Sequence, residues 1–139
     1  MISVELAERL RSTGVRWEPS PGDRFVVRDR GMDDEVFVIA DMVVEAVAQP
    51  TGHVLRFNGT TEWALDSVDQ GAVLWLPRED QLRELLGDAF VALSRRDGRF
   101  VVTWRGAGVE SAVEHADAGC AYALAVLTSR GTHDAGTRA

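Results

Sequence analysis

Residues 54–65, Val54-Leu55-Arg56-Phe57-Asn58-Gly59-Thr60-Thr61-Glu62-Trp63-Ala64-Leu65, decide the fold class. Asn58 and Gly59 both tolerate the positive φ that a two-residue type I′ turn imposes, and strand-forming residues flank them. The segment therefore predicts a hairpin in which residues 61–65 pair back on residues 54–57. Upstream, Pro50 and Gly52 make Gln49-Pro50-Thr51-Gly52 a chain reversal. Before it, residues 35–47 are rich in Val, Ile and Phe and predict two strands or one long bent strand. Arg24-Phe25-Val26-Val27 and residues 72–76 predict further strands, and so do residues 99–104 after the turn at Asp97-Gly98.

Helices are expected at both ends and in the middle. Ser3 can cap a helix over residues 3–13 in which Ile2, Leu6, Ala7 and Leu10 share a face, and Gly14 is placed to end it. After Pro77, the spacing of Leu82, Leu85, Leu86, Ala89, Phe90 and Leu93 predicts a helix reaching Leu93, with its charged residues turned to solvent. Asp117 can cap a third helix to about Ser129, small and apolar on every side and so expected to be buried. The fold class is therefore α+β: an antiparallel meander sheet of five to six strands, with N-terminal, middle and C-terminal helices packed mainly on one face. Residues 1–129 are expected to form a single domain, followed by a frayed tail at 130–139.

Composition narrows the function. An apolar share of 45% in 139 residues is enough for one sizeable core. The net charge of −7 comes without a basic stripe, which argues against nucleic-acid binding, and residues 1–70 carry most of the acids. All 15 basic residues are Arg, and without Lys a phosphate loop of the usual kind cannot be built. Cys120 is the one cysteine, so no internal disulfide is expected and a reducing, cytoplasmic location is. Residues 1–6 lack the basic-then-apolar pattern of a secretory signal, and the apolar run at 118–127 is too short to cross a membrane.

Candidate chemistry is sparse. The acidic stretch Asp29, Asp33, Asp34 and Glu35 fails the spacing of a calcium loop and reads as a solvated loop. His53, His115 and His133 are scattered, and Cys120, at the start of an apolar helix, reads as a core residue. No catalytic, cofactor or metal residue is assigned. The four tryptophans, Trp17, Trp63, Trp75 and Trp104, are open to two readings: they fill the space between sheet and helices, or they anchor a binding surface, because indoles bury much area and keep a polar handle. The candidate surface comprises Trp17, Glu62, Trp63, Asp66, Trp75 and Arg78.

Four segments carry a resemblance: Arg16-Trp17-Glu18-Pro19 with Pro21-Gly22-Asp23, Phe57 through Asp66, Trp75 through Leu82, and Asp117 through Leu124. Together they resemble a family of short actinobacterial proteins, some of which carry a pilus-assembly label. The resemblance covers residues 1 to about 129 and implies a compact fold, with no active residues to transfer.

The leading expectation is a non-enzymatic protein-interaction or regulatory module with a protein or peptide partner. Two alternatives stand beside it. One is a small-molecule binder or enzyme with a pocket between sheet and helices, using Glu62, Asp66 and Arg78. The other is a homo-oligomer subunit that exposes an unpaired strand edge.

Overall fold

The computed structural model describes residues 1–27, 35–39, 43–49, 52–58, 67–69 and 73–137, with the backbone alone at 43–49, 52–58, 67–69 and 132–137. In chain order the elements are α1 (Val4–Ser12), β1 (Arg24–Val27), β2 (Phe37–Val38), β3 (Val43–Gln49), β4 (Gly52–Asn58), β5 (Ser67–Asp69), β6 (Val73–Leu76), α2 (Glu79–Leu86), β7 (Phe90–Arg96), β8 (Arg99–Gly106), β9 (Val109–His115) and α3 (Ala118–Thr137). The class is α+β, as expected. Among the described residues, however, the strands form three antiparallel three-stranded sheets, ordered β2-β1-β6, β3-β4-β5 and β7-β8-β9, and not the one meander sheet expected. Strand propensity marks where a strand forms and not which strand it joins, so β6 pairing with the distant β1 was not legible. The chain divides into two compact units, Met1–Arg16 with Pro77–Ala139, and Trp17–Leu76.

In the unit formed by Met1–Arg16 and Pro77–Ala139, α3 packs against α1, α2, β8 and β9. Ser3 caps α1 by accepting from the Leu6 amide at 3.2 Å, and Gly14 takes φ +93° just beyond its end. Leu6, Ala7 and Leu10 are the buried face of α1. Asp117 caps α3 by accepting from the Cys120 amide at 2.9 Å. From Ala118 to Leu127 every residue of α3 is buried except Leu124, which is half-buried. A helix lined by Ala and Gly lets its neighbours approach closely, and Tyr122 fills the remaining volume. The helix is continuous to Thr137, beyond the Ser129 end expected from the apolar run. Apolar pattern reports the buried stretch, whereas residues 130–137 contain no proline to stop the backbone ladder.

The middle helix is shorter than its apolar spacing predicts. α2 ends at Leu86, Gly87 takes φ +59°, and after a short 3-10 turn at Gly87–Ala89 the chain becomes β7. Phe90 and Leu93 are thus strand residues, and the continuation of the helical spacing past Leu86 is a coincidence of phase. The stronger local signal is Asp97-Gly98: with φ of 51° and 76° these two residues make a type I′ turn that closes Arg96 on Arg99, and such a turn requires a strand on each side. Ala107-Gly108 repeats the geometry at φ 52° and 78° and closes Gly106 on Val109, creating β9. No strand was expected there, because alanine gives no sign of a left-handed position.

In the unit Trp17–Leu76, β1 lies between β2 and β6, with Phe25 opposite both Phe37 and Trp75. β3 and β4 pair with Gln49 opposite Gly52, so the reversal expected there is present. β4 next pairs β5, with Arg56 opposite Ser67. Residues 59–66 lie outside the described residues, but the expected pairing of 61–65 back on 54–57 is not what forms. Val54, Leu55 and Arg56 lie opposite Asp69, Val68 and Ser67 on one side and Val47, Ala46 and Glu45 on the other, because the partner strand starts at Ser67 and not directly after a two-residue turn at Asn58-Gly59.

Candidate functional site

In the Trp17–Leu76 unit the sequence places an aromatic residue at the same rung of three neighbouring strands. Phe37, Phe25 and Trp75 are directly paired and therefore share one face of the sheet. The Phe25 and Phe37 rings are 5.5 Å apart. Trp17, from the segment before β1, lies 5.8 Å from Phe25 and 6.4 Å from Trp75, its plane within 7° of the second indole. Phe25 also belongs to a buried cluster with Val27, Ile39 and Val73, against which Trp17 and Phe37 pack. Trp17, Phe37 and Trp75 remain half-buried, as a surface anchor does.

Trp17 is held by a buried carboxylate. Its Nε1 donates to Asp23 Oδ2 at 2.8 Å, and the same oxygen accepts from the Ser20 amide at 3.0 Å and the Ser20 hydroxyl at 3.3 Å. Gly22 takes φ +90° between them, which lets the Pro19-to-Gly22 segment fold back so that Asp23 reaches both groups. The Nε1 of Trp75 is buried and has no hydrogen-bond partner among the described residues.

Of the six residues of the expected surface, the structure brings Trp17 and Trp75 together. Arg78 belongs to the other unit, where its guanidinium bonds Asp80 at 3.1 and 3.4 Å in the first turn of α2. That hydrogen bond holds the Asp80 carboxyl below its ordinary range against a small opposing effect of burial. Glu62, Trp63 and Asp66 lie outside the described residues, as do Asp29, Asp33 and Asp34. The fourth tryptophan, Trp104, is a core residue of β8.

A second surface was missed in the sequence because residues 90–93 read as helix. β7 is an edge strand: among the described residues it pairs only with β8. Its inner face is anchored by Phe90, which meets Tyr122 of α3 at 5.9 Å. Further along, Val91 is 43% exposed and Leu93 39% exposed. The register shifts between Phe90 and Ala92, so the strand is kinked there and regular from Ala92 to the turn. Beyond Leu93 come Arg95, whose guanidinium sits 5.5 Å from the centre of the Phe100 ring, and Arg96, both exposed. Had Asp97-Gly98 been given more weight than the leucine spacing, this edge would have been legible.

The reactive-group candidates have structural surroundings. Cys120 is buried, with its sulfur 3.8 Å from the Met1 carbonyl oxygen, and burial followed by the Asp117 carboxylate pushes its thiol pKa up. The Asp117 amide donates to His115 Nδ1 at 2.9 Å, and the Asp117 carboxylate bonds the Met1 ammonium at 2.8 Å. Among the described residues no group of three His, Cys, Asp or Glu side chains is arranged to hold a metal ion, and no helix is long and apolar enough to cross a membrane. An open depression of about 660 Å³ runs along α1, lined by Glu5, Glu8, Arg9, Ser12, Thr13 and Leu127, with no sheet residue in its wall. The chain matches no family model, no curated protein and no solved structure.

Proposed function

We propose that this chain is a non-enzymatic protein-interaction or regulatory module. One observation carries the reading: β7 is a seven-residue edge strand, hydrogen-bonded on one side among the described residues, that leaves Val91 and Leu93 exposed. Proteins usually shield such edges, because unpaired backbone groups beside apolar side chains recruit another chain. The half-buried Trp17 and Trp75, fixed through Asp23, add a rigid aromatic surface of the kind that anchors protein contacts. A cytoplasmic location belongs to the same proposal, supported by the lone buried cysteine. Nucleic acid is not the expected partner at a net charge of −7. Membership of the short actinobacterial family is part of the proposal too, and leaves the mechanism unchanged.

The test is selection of a displayed random-peptide library against the immobilised full chain. Enrichment of peptides that bind the folded chain and lose binding on its denaturation is expected. A library that yields no binder, together with stabilisation of the chain in a metabolite thermal-shift screen, overturns the reading in favour of a small-molecule site.

A further inference from the structure

The geometry of β7 also defines what would dock there, an inference that rests on the interaction-module reading. A two-residue type I′ hairpin closes with a hydrogen-bonded pair, here Arg96 with Arg99, and inward-bonding positions then alternate along the strand. Arg96, Ser94 and Ala92 turn their backbone groups toward β8. Leu93 and Arg95 therefore point their N–H and C=O groups away from the sheet, along the open edge.

Side-chain charge along this edge is graded. Val91 and Leu93 are exposed and apolar, and Arg95 and Arg96 follow as adjacent cations in an otherwise acidic protein. Elsewhere in the same sheet arginines meet carboxylates, Arg99 with Glu114 at 3.4 Å and Arg105 with Glu110 at 4.0 Å. Among the described residues no carboxylate lies within ion-pair distance of Arg95 or Arg96. The β7 of a second copy does not complement this edge, since Phe90-Val91-Ala92-Leu93-Ser94-Arg95-Arg96 contains no acid, and the two carboxylates of the other edge strand, Glu110 and Glu114 of β9, already meet Arg105 and Arg99.

We propose that β7 takes an extended peptide of another protein as a fourth, antiparallel strand, with acidic residues passing Arg95 and Arg96 and small or β-branched apolar residues passing Leu93 and Val91. The backbone groups of Leu93 and Arg95 supply the pairing, and the arginines set direction and selectivity.

The experiment uses the full chain and two fluorescein-labelled probes, Glu-Glu-Thr-Val-Thr-Val and Lys-Lys-Thr-Val-Thr-Val, read by fluorescence anisotropy at low salt. The acidic probe should bind about tenfold more tightly than the basic one, and Arg95→Glu with Arg96→Glu should reverse that order. Both substitutions are on exposed side chains, and circular dichroism verifies that the double variant is folded. Hydrogen exchange should slow at the Leu93 and Arg95 amides on binding, and N-methylation of the probe backbone should abolish it. Equal affinity for the two probes, or protection elsewhere with β7 unaffected, overturns the proposal; a binder that protects Trp17 and Trp75 instead does so while sparing the broader reading. A β7-mediated dimer in sedimentation, lost in Leu93→Pro, also overturns it, because the edge is then occupied by a second copy.

Discussion

The indole nitrogen of Trp17 donates to Asp23 at 2.8 Å, and Asp23 is 1% exposed. A buried carboxylate is costly unless its oxygens are satisfied, so this bond and those from Ser20 are what make the position tolerable. Through it the turn at residues 19–22 fixes the indole that lies against Trp75.

Asp23→Ala should destabilise the protein by about 2–3 kcal/mol, the scale of losing hydrogen bonds to a charged group. Urea unfolding measures the loss. Near-ultraviolet circular dichroism of the folded variant should also weaken, since Trp17 is no longer held parallel to Trp75. A variant with wild-type stability and spectrum would remove Asp23 from this role.

Ala107 occupies the left-handed region at φ 52°, where an L-residue other than Asn or Asp is strained. Ala107→Asn should therefore stabilise the protein by about 1 kcal/mol, a rise in Tm of about 3–5 °C for a chain of this size. Calorimetry gives the answer directly, and a fall in Tm would mean that the turn is not type I′.

Tyr122 is 1% exposed, and its buried hydroxyl has no hydrogen-bond partner among the described residues. Burying such a group costs about 1–3 kcal/mol, so Tyr122→Phe should be neutral or stabilise by about 1 kcal/mol, while keeping the ring contact with Phe90. Clear destabilisation of Tyr122→Phe in denaturant titration would reveal a partner for the hydroxyl.

Burial disfavours ionisation of Asp117, but the Met1 ammonium and the Cys120 amide outweigh it and hold the carboxyl below its ordinary range. A carboxyl depressed in the folded state stabilises the fold above the unfolded value, about pH 4, and that contribution is lost as pH falls through the lower folded value. Asp117→Asn keeps a capping oxygen and removes the charge. Because both partners of the ion pair are partly exposed, the variant should lose about 0.5–1 kcal/mol at neutral pH. The difference from wild type should shrink as pH is lowered below about 4. A difference independent of pH would assign the effect to helix capping alone.

The sequence by itself determined the elements whose signals are local: the Ser3 and Asp117 caps, β1, the start of α2 after Pro77, the reversal between β3 and β4, and the buried character of α3. Each of these depends on a residue acting on its own backbone or its near neighbours. Only the tertiary structure decided that β1 lies between β2 and β6, that Trp17 meets Trp75, that Phe90 to Arg96 form an edge strand and that Ala107 turns left-handed into β9. Those outcomes come from pairing between distant segments, where the partner supplies hydrogen bonds and buried area that no local spacing encodes. The candidate surfaces follow the same division: the tryptophans announced themselves by type, whereas the open edge became visible once β7 had a neighbour on one side.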